Sequence, residues 1–352
     1  MKKDCSCKKD NNWRSTSMNN VWKSLETGKP QRISLIHNGK YPNNDILALR
    51  KIKAWCLSKG HVCDFNLGYP DISCISVIFP DPKFELQQRT IDKSIILKGG
   101  PSFDPKILLP NDIEHTCPDY TDLDHSSGRT SWGCYRQCPF CMTWRMEGTV
   151  VQEHSPFEEF VRHDKIVLYD ANFLASPKCI EKLETIIDNK WRVSFNQGLD
   201  IRLINPKIAK LLRRVKTRDF DFNHNRIYFA WDLMDREDQV IYGIKTLIDN
   251  GVKPYRMMFY ILVGFNTDLS QDIYRVNKLL KFGIDPYVMV YNNRRDIPEI
   301  RHLAKFVNQR MCKSKRETAM EYIQRKMEDS QYSNVGKTRQ EKPLTAFGGI
   351  FT

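Results

Sequence analysis

The sequence predicts an α/β protein: a Rossmann-like N-terminal module followed by a partial barrel of six strand–helix units. Three observations carry this. Short β-branched runs alternate with segments of helical period. Several runs are apolar on both faces, as parallel strands covered by helices should be. Polar caps and glycines punctuate the helical segments.

Residues 1–30 read as a flexible basic arm, rich in Lys, Asn and Ser, with Trp13 and Trp22 as its large anchors. The Rossmann-like module covers 31–115. Ile33 to Ile36 reads as a buried strand. Asn44 to Lys59 reads as a helix with Ile46, Leu49, Ile52 and Cys56 on one face, stopped by Gly60. Val62 to Phe65, Ile72 to Phe79 and Ile95 to Leu97 follow as strands, and Gly99-Gly100-Pro101 turns the chain.

The barrel segment covers 116–310. Its six strands are expected at 129–133, 166–169, 193–195, 227–231, 257–263 and 287–291. Ser155-Pro156-Phe157-Glu158 reads as a capping box, and Ser176-Pro177 and Asn205-Pro206 as further helix starts. Ile208, Leu211, Leu212 and Val215 share one helical face. Ile241, Ile244, Leu247 and Ile248 do so before Gly251, and Ile273, Val276, Leu279 and Leu280 before Gly283. Six units fall short of the eight of a closed barrel. Residues 311–352 read as a helix over Glu317 to Met327 and then a polar tail.

Composition narrows the class. No run of about 18 apolar residues is present, which excludes a membrane-spanning helix and a membrane partner. The polar N-terminus lacks the apolar stretch of a secretory signal, so a cytoplasmic location is expected. Eleven cysteines without an export signal point to free thiols or metal ligands rather than a disulfide framework. A net charge of +13 permits a nucleic-acid partner, with a solvated basic surface as the alternative.

The strongest signal is Gly133-Cys134-Tyr135-Arg136-Gln137-Cys138-Pro139-Phe140-Cys141, a C-x3-C-x2-C loop directly after an expected strand. Three close thiolates can hold three corners of a 4Fe–4S cube and leave one iron open. Structural zinc is the rival. It wants four ligands in paired spacing, and His125 or His154 would have to supply the fourth. On that reading the protein is a non-catalytic, zinc-stabilised nucleic-acid binder.

This loop, with an aromatic before its last cysteine, resembles the signature of the radical S-adenosylmethionine superfamily. The likeness covers about residues 115–310. Upstream, the α/β module, Lys98-Gly99-Gly100-Pro101 and Pro118-Asp119-Tyr120 resemble members with a cobalamin-binding-type module, in particular phage-type proteins. The resemblance implies an enzyme in which a 4Fe–4S cluster on Cys134, Cys138 and Cys141 binds S-adenosylmethionine. It cleaves that cofactor reductively to a 5′-deoxyadenosyl radical and modifies a substrate, with RNA or a nucleotide among the candidates. It also implies an electron donor such as flavodoxin or ferredoxin. The Asp-x-His-x-x-Gly motif is missing around His37, so histidine-ligated cobalamin is not expected.

The resemblance also implies cofactor-binding roles by position. Phe140 would lie beside the adenine. Asp170 and Asn172, ending the second strand, would receive the amino group through backbone carbonyls, with a helix-capping or turn role as the alternative for Asp170. Arg202 would pair with the cofactor carboxylate, or else with Asp200. Asp232 would accept from the ribose, or else cap a helix. Gly264 would lie near the adenine, or else serve a turn.

Overall fold

The computed structural model describes residues 15–37, 46–78, 94–293, 295–314 and 316–338. The Cys5 and Cys7 pair, the loop 38–42 and the tail beyond Thr338 lie outside the described residues. The chain is α/β with parallel sheets, and no sheet closes into a barrel among the described residues. It divides into two units, Met1–Gln197 with Val215–Asn223, and Gly198–Arg214 with His224–Thr352. The boundary expected near residue 115 falls inside the first unit.

The first unit begins with α1 (Ser15–Thr27), β1 (Arg32–His37), α2 (Leu47–Ser58), β2 (Val62–Phe65), β3 (Ile72–Ser76) and β4 (Ile95–Gly99). The four strands pair in parallel in the order β2-β1-β3-β4. Ile33, Leu35, Ile72, Cys74 and Leu97 share one core with Leu49, Ile52, Trp55 and Cys56 of α2. Residues of the other strand parity, Ile36 and Ile75, form a second cluster with Val77. α2 ends in a Schellman motif: the His61 N–H reaches the Cys56 carbonyl and the Gly60 N–H the Leu57 carbonyl.

The expected flexible arm is corrected over its second half. Met18, Val21, Trp22 and Leu25 recur at helical spacing, so α1 buries one stripe. Trp22 meets Trp55 edge to face at 6.0 Å. The polar residues between these anchors hid the stripe.

A second parallel sheet joins β5 (Ser126–Gly128), β8 (Lys165–Leu168), β9 (Arg192–Phe195) and β10 (Lys216–Thr217) in the order β10-β9-β8-β5. The strand expected at 129–133 is corrected. The parallel pairing stops at Gly128, and Ser131–Trp132 (β6) instead pairs antiparallel with Gln152–Glu153 (β7). α3 (Asn111–Glu114), α4 (Thr143–Glu147), α5 (Phe157–Phe160) and α6 (Cys179–Asp188) complete this part. The capping box at Ser155 is corrected too. Pro156 holds the N-cap position without a side-chain bond, and the Ser155 hydroxyl donates to Glu159 at 2.6 Å.

The second unit carries α7 (Pro206–Arg214), β11 (Ile227–Ala230), α8 (Glu237–Asp249), β12 (Met257–Val263), α9 (Leu269–Lys281), β13 (Asp285–Val290), α10 (Pro298–Asn308) and α11 (Ala319–Thr338). Asn205 caps α7 through the Ile208 N–H at 3.0 Å. The three strands pair in parallel as β11-β12-β13. Met257, Phe259, Ile261 and Val263 are wholly buried, while the alternate residues of β12 are only half-buried. On that second face Tyr228 and Tyr260 stack at 5.6 Å, with Tyr287 edge-on to Tyr260 at 5.9 Å. The expected tail is corrected as well, because α11 runs on through residues 330–338.

Candidate functional site

The cysteine loop leaves and rejoins the fold through the β6–β7 ribbon. Gly133 opens it at φ +91, a left-handed conformation that favours glycine. A Cβ there would collide with the Val150 carbonyl oxygen. Glu147 holds the loop entrance: its carboxylate accepts from the Gly133 N–H at 3.1 Å and from Arg129 at 2.6 Å. The Cys134 N–H donates to the Gly148 carbonyl at 3.1 Å, which closes the loop at its base.

Within the loop, the Cys141 N–H donates to the Cys138 carbonyl at 3.0 Å. Cys138-Pro139-Phe140-Cys141 is thus a hydrogen-bonded four-residue turn, with proline in the second place that favours it. The turn brings Cys138 and Cys141 close, with half-buried Phe140 at its third position. The Trp144 indole N–H donates to the same Cys138 carbonyl at 3.1 Å. All three cysteines are half-buried and outside any disulfide.

Two sulfurs receive N–H groups. Thr143 N–H points at Cys141 Sγ at 3.4 Å, and Asn172 Nδ2 at Cys134 Sγ at 3.7 Å. Among the described residues, no three His, Cys, Asp or Glu side chains are gathered around a point that would hold a single metal ion. A cube differs from a single ion here, because each thiolate binds a different iron and the sulfurs stand further apart. His125 packs against Phe220 and Phe222, and His154 stacks on His115 and Trp132.

Asp170 follows β8 and is buried. Its carboxylate accepts from the Thr130 N–H at 3.1 Å, the Thr130 hydroxyl at 2.7 Å and the Ser131 hydroxyl at 2.6 Å. These bonds take the Thr130 N–H away from the β5–β8 ladder and end it. The Asp170 carboxylate therefore caps no helix; it anchors the strand that feeds the cysteine loop. The Asn172 carbonyl accepts the Ala175 N–H at 3.0 Å, starting a short 3-10 turn.

The remaining candidates stand in the second unit. Arg202 pairs bidentately with Asp200, Nε to Oδ1 at 2.6 Å and Nη2 to Oδ2 at 3.1 Å. The internal ion pair that the sequence offered as the alternative is the arrangement found. Asp232 caps no helix; its Oδ1 accepts the Leu262 N–H at 3.2 Å. Burial pushes the Asp232 carboxyl up to about 6, against the pull of Arg275 and Arg202, with Asp200 adding a smaller push upward. Gly264 sits at φ +75 after β12, with Ile300 where a Cβ would point.

Arg275 escaped the sequence reading. It is wholly buried on α9 and donates to the carbonyls of Trp231 at 2.7 Å, Asp232 at 3.0 Å and Leu262 at 2.8 Å. Asp272 balances its charge at 2.5 Å. The signal was an Asp–Arg pair three apart beside Val276 and Leu279, on the apolar face of a helix.

A cleft of about 310 Å³ in the first unit is lined by Thr130, Glu153, His154, Lys178 and Lys182 among others, and by none of the three cysteines. Lys182 spans it to Glu153 at 2.7 Å and to the Thr130 carbonyl at 2.9 Å, so it braces the same strand that Asp170 holds. Compared with known proteins, the chain matches no family model and no curated sequence.

Proposed function

We propose that the protein is a radical S-adenosylmethionine enzyme, in which a Rossmann-like module precedes a partial barrel. The observation that carries this reading is one anchored loop with three half-buried thiols, two of them already receiving N–H groups. The donor set fits a 4Fe–4S cluster: Cys134, Cys138 and Cys141 supply three sulfurs on one short turn-containing segment. When bound, the cluster supplies the electron that cleaves S-adenosylmethionine and starts radical chemistry.

The chain's own residues position and shield. Gly133, Glu147 and Asp170 fix the loop. The half-buried Trp144 pins the turn through its indole N–H on the Cys138 carbonyl. Arg275 holds together the strand ends that carry Asp232 and Gly264. A low-potential one-electron donor such as flavodoxin or ferredoxin is the partner this chemistry requires, and the basic balance favours an anionic substrate such as RNA or a nucleotide. His154 has its Nδ1 3.0 Å from the Ser155 hydroxyl and its Nε2 3.7 Å from Glu114, which disfavours it as the fourth ligand of a zinc site.

Anaerobic reconstitution with iron and sulfide, followed by dithionite and S-adenosylmethionine, tests the reading. The expected result is a brown protein with about four irons per chain that releases 5′-deoxyadenosine. A fully loaded protein that releases none would overturn it, and zinc in anaerobically purified protein would favour the binding protein instead.

A further inference from the structure

Resemblance alone assigns the Asp170–Asn172 segment to the amino group of S-adenosylmethionine. Two of its acceptors already have partners within the protein: the Asp170 carboxylate accepts from Thr130 and Ser131, and the Asn172 backbone carbonyl accepts from Ala175. What the segment turns toward the cysteine loop is the Asn172 amide, 3.7 Å from Cys134 Sγ. We propose that Asn172 is a positioning residue for the cluster, donating to the Cys134 sulfur and thereby making the cluster easier to reduce.

This rests on the reading above that Cys134 is a cluster ligand. An N–H aimed at a cluster sulfur stabilises the state with more negative charge, which is the reduced one. The donor is well held. Asn172 is buried, and it begins the 3-10 turn Phe173–Ala175 whose Phe173 and Leu174 are themselves buried. Two residues earlier Asp170 ties the segment to the strand entering the loop, so the amide and the sulfur are fixed against one another from both sides. Unlike the Thr143 N–H at Cys141, the Asn172 donor belongs to a side chain and can be removed without touching the loop backbone.

The test is the reduced fraction of the reconstituted cluster at one poised potential, read by electron paramagnetic resonance, for wild type, Asn172→Leu, Asn172→Asp and Asn172→Gln at equal iron content. A lost hydrogen bond to charged sulfur should lower the reduced-to-oxidised ratio by about fivefold in Asn172→Leu. Asn172→Asp keeps the shape, removes the donor and adds negative charge, so it should fall at least as far; it carries the test if the leucine variant does not load iron. Asn172→Gln, which keeps an amide, should recover part of the ratio. Equal ratios across loaded wild type, Asn172→Leu and Asn172→Asp would overturn the proposal while leaving the cluster reading intact. A wild-type protein that takes up no iron–sulfur cluster would overturn the reading itself.

Discussion

At the residue scale, the three loop cysteines differ from Cys179 in environment. Cys134, Cys138 and Cys141 are half-buried on a loop, whereas Cys179 is buried at the start of α6, where burial pushes its thiol up. Alanine at any of the first three should abolish cluster iron, and Cys179→Ala should leave it unchanged; iron and sulfide analysis of each variant checks this. Asp232 offers a pH test. Burial raises its carboxyl to about 6 from the ordinary 3.8, so between those values the folded chain holds a proton that the unfolded chain has lost. Stability from this group is therefore present below about pH 4 and is lost as pH rises through 6. Asp232→Asn keeps an acceptor for the Leu262 N–H and has no charge to bury. It should raise the melting temperature at pH 7–8 and change it little at pH 4, and thermal unfolding at both pH values decides.

At the element scale, two devices hold loops to strands. One is Gly133. Its positive φ and the Val150 carbonyl leave no room for a side chain, so Gly133→Ala should cost about 1–3 kcal/mol and displace the cysteine loop. Denaturant unfolding together with iron loading would report both effects. The other is Arg275, whose guanidinium binds three strand-end carbonyls from the buried face of α9. Arg275→Met would leave Asp272 without its partner and the carbonyls without a donor, for a loss of about 3–5 kcal/mol in urea unfolding. The double variant with Asp272→Asn should recover part of this, because no buried charge is then left alone.

At the scale of the whole molecule, charge is the property with the widest reach. A net charge of +13 predicts that binding of single-stranded RNA weakens steeply with salt, by about tenfold or more between roughly 50 and 200 mM if several phosphates are neutralised. A flat titration would mark the basic residues as solvated surface. Among the described residues no helix is long and apolar enough to cross a membrane. The division into units is equally a property of the whole chain: Val215–Asn223 returns to the first unit after α7 has joined the second, placing β10 beside β9.

Local chemistry was legible in the sequence wherever short-range patterns decide structure. Short apolar runs marked β1, β2 and β12 within a residue, glycines marked the ends of α2, α8 and α9, and the cysteine spacing marked the loop. These depend on neighbours within one turn of helix or one strand. What the tertiary structure alone decided are matters of distant partners. α1 forms because Trp22 finds Trp55. β5 ends at Gly128 because a carboxylate 40 residues away takes the next N–H. Arg202 turns to Asp200 although a cofactor carboxylate would suit it equally well. Asn172 reaches a sulfur 38 residues back. Spacing along a chain sets which groups are available; only packing decides which of them a buried donor or acceptor meets, because a buried polar group must be matched wherever the fold brings a partner within reach.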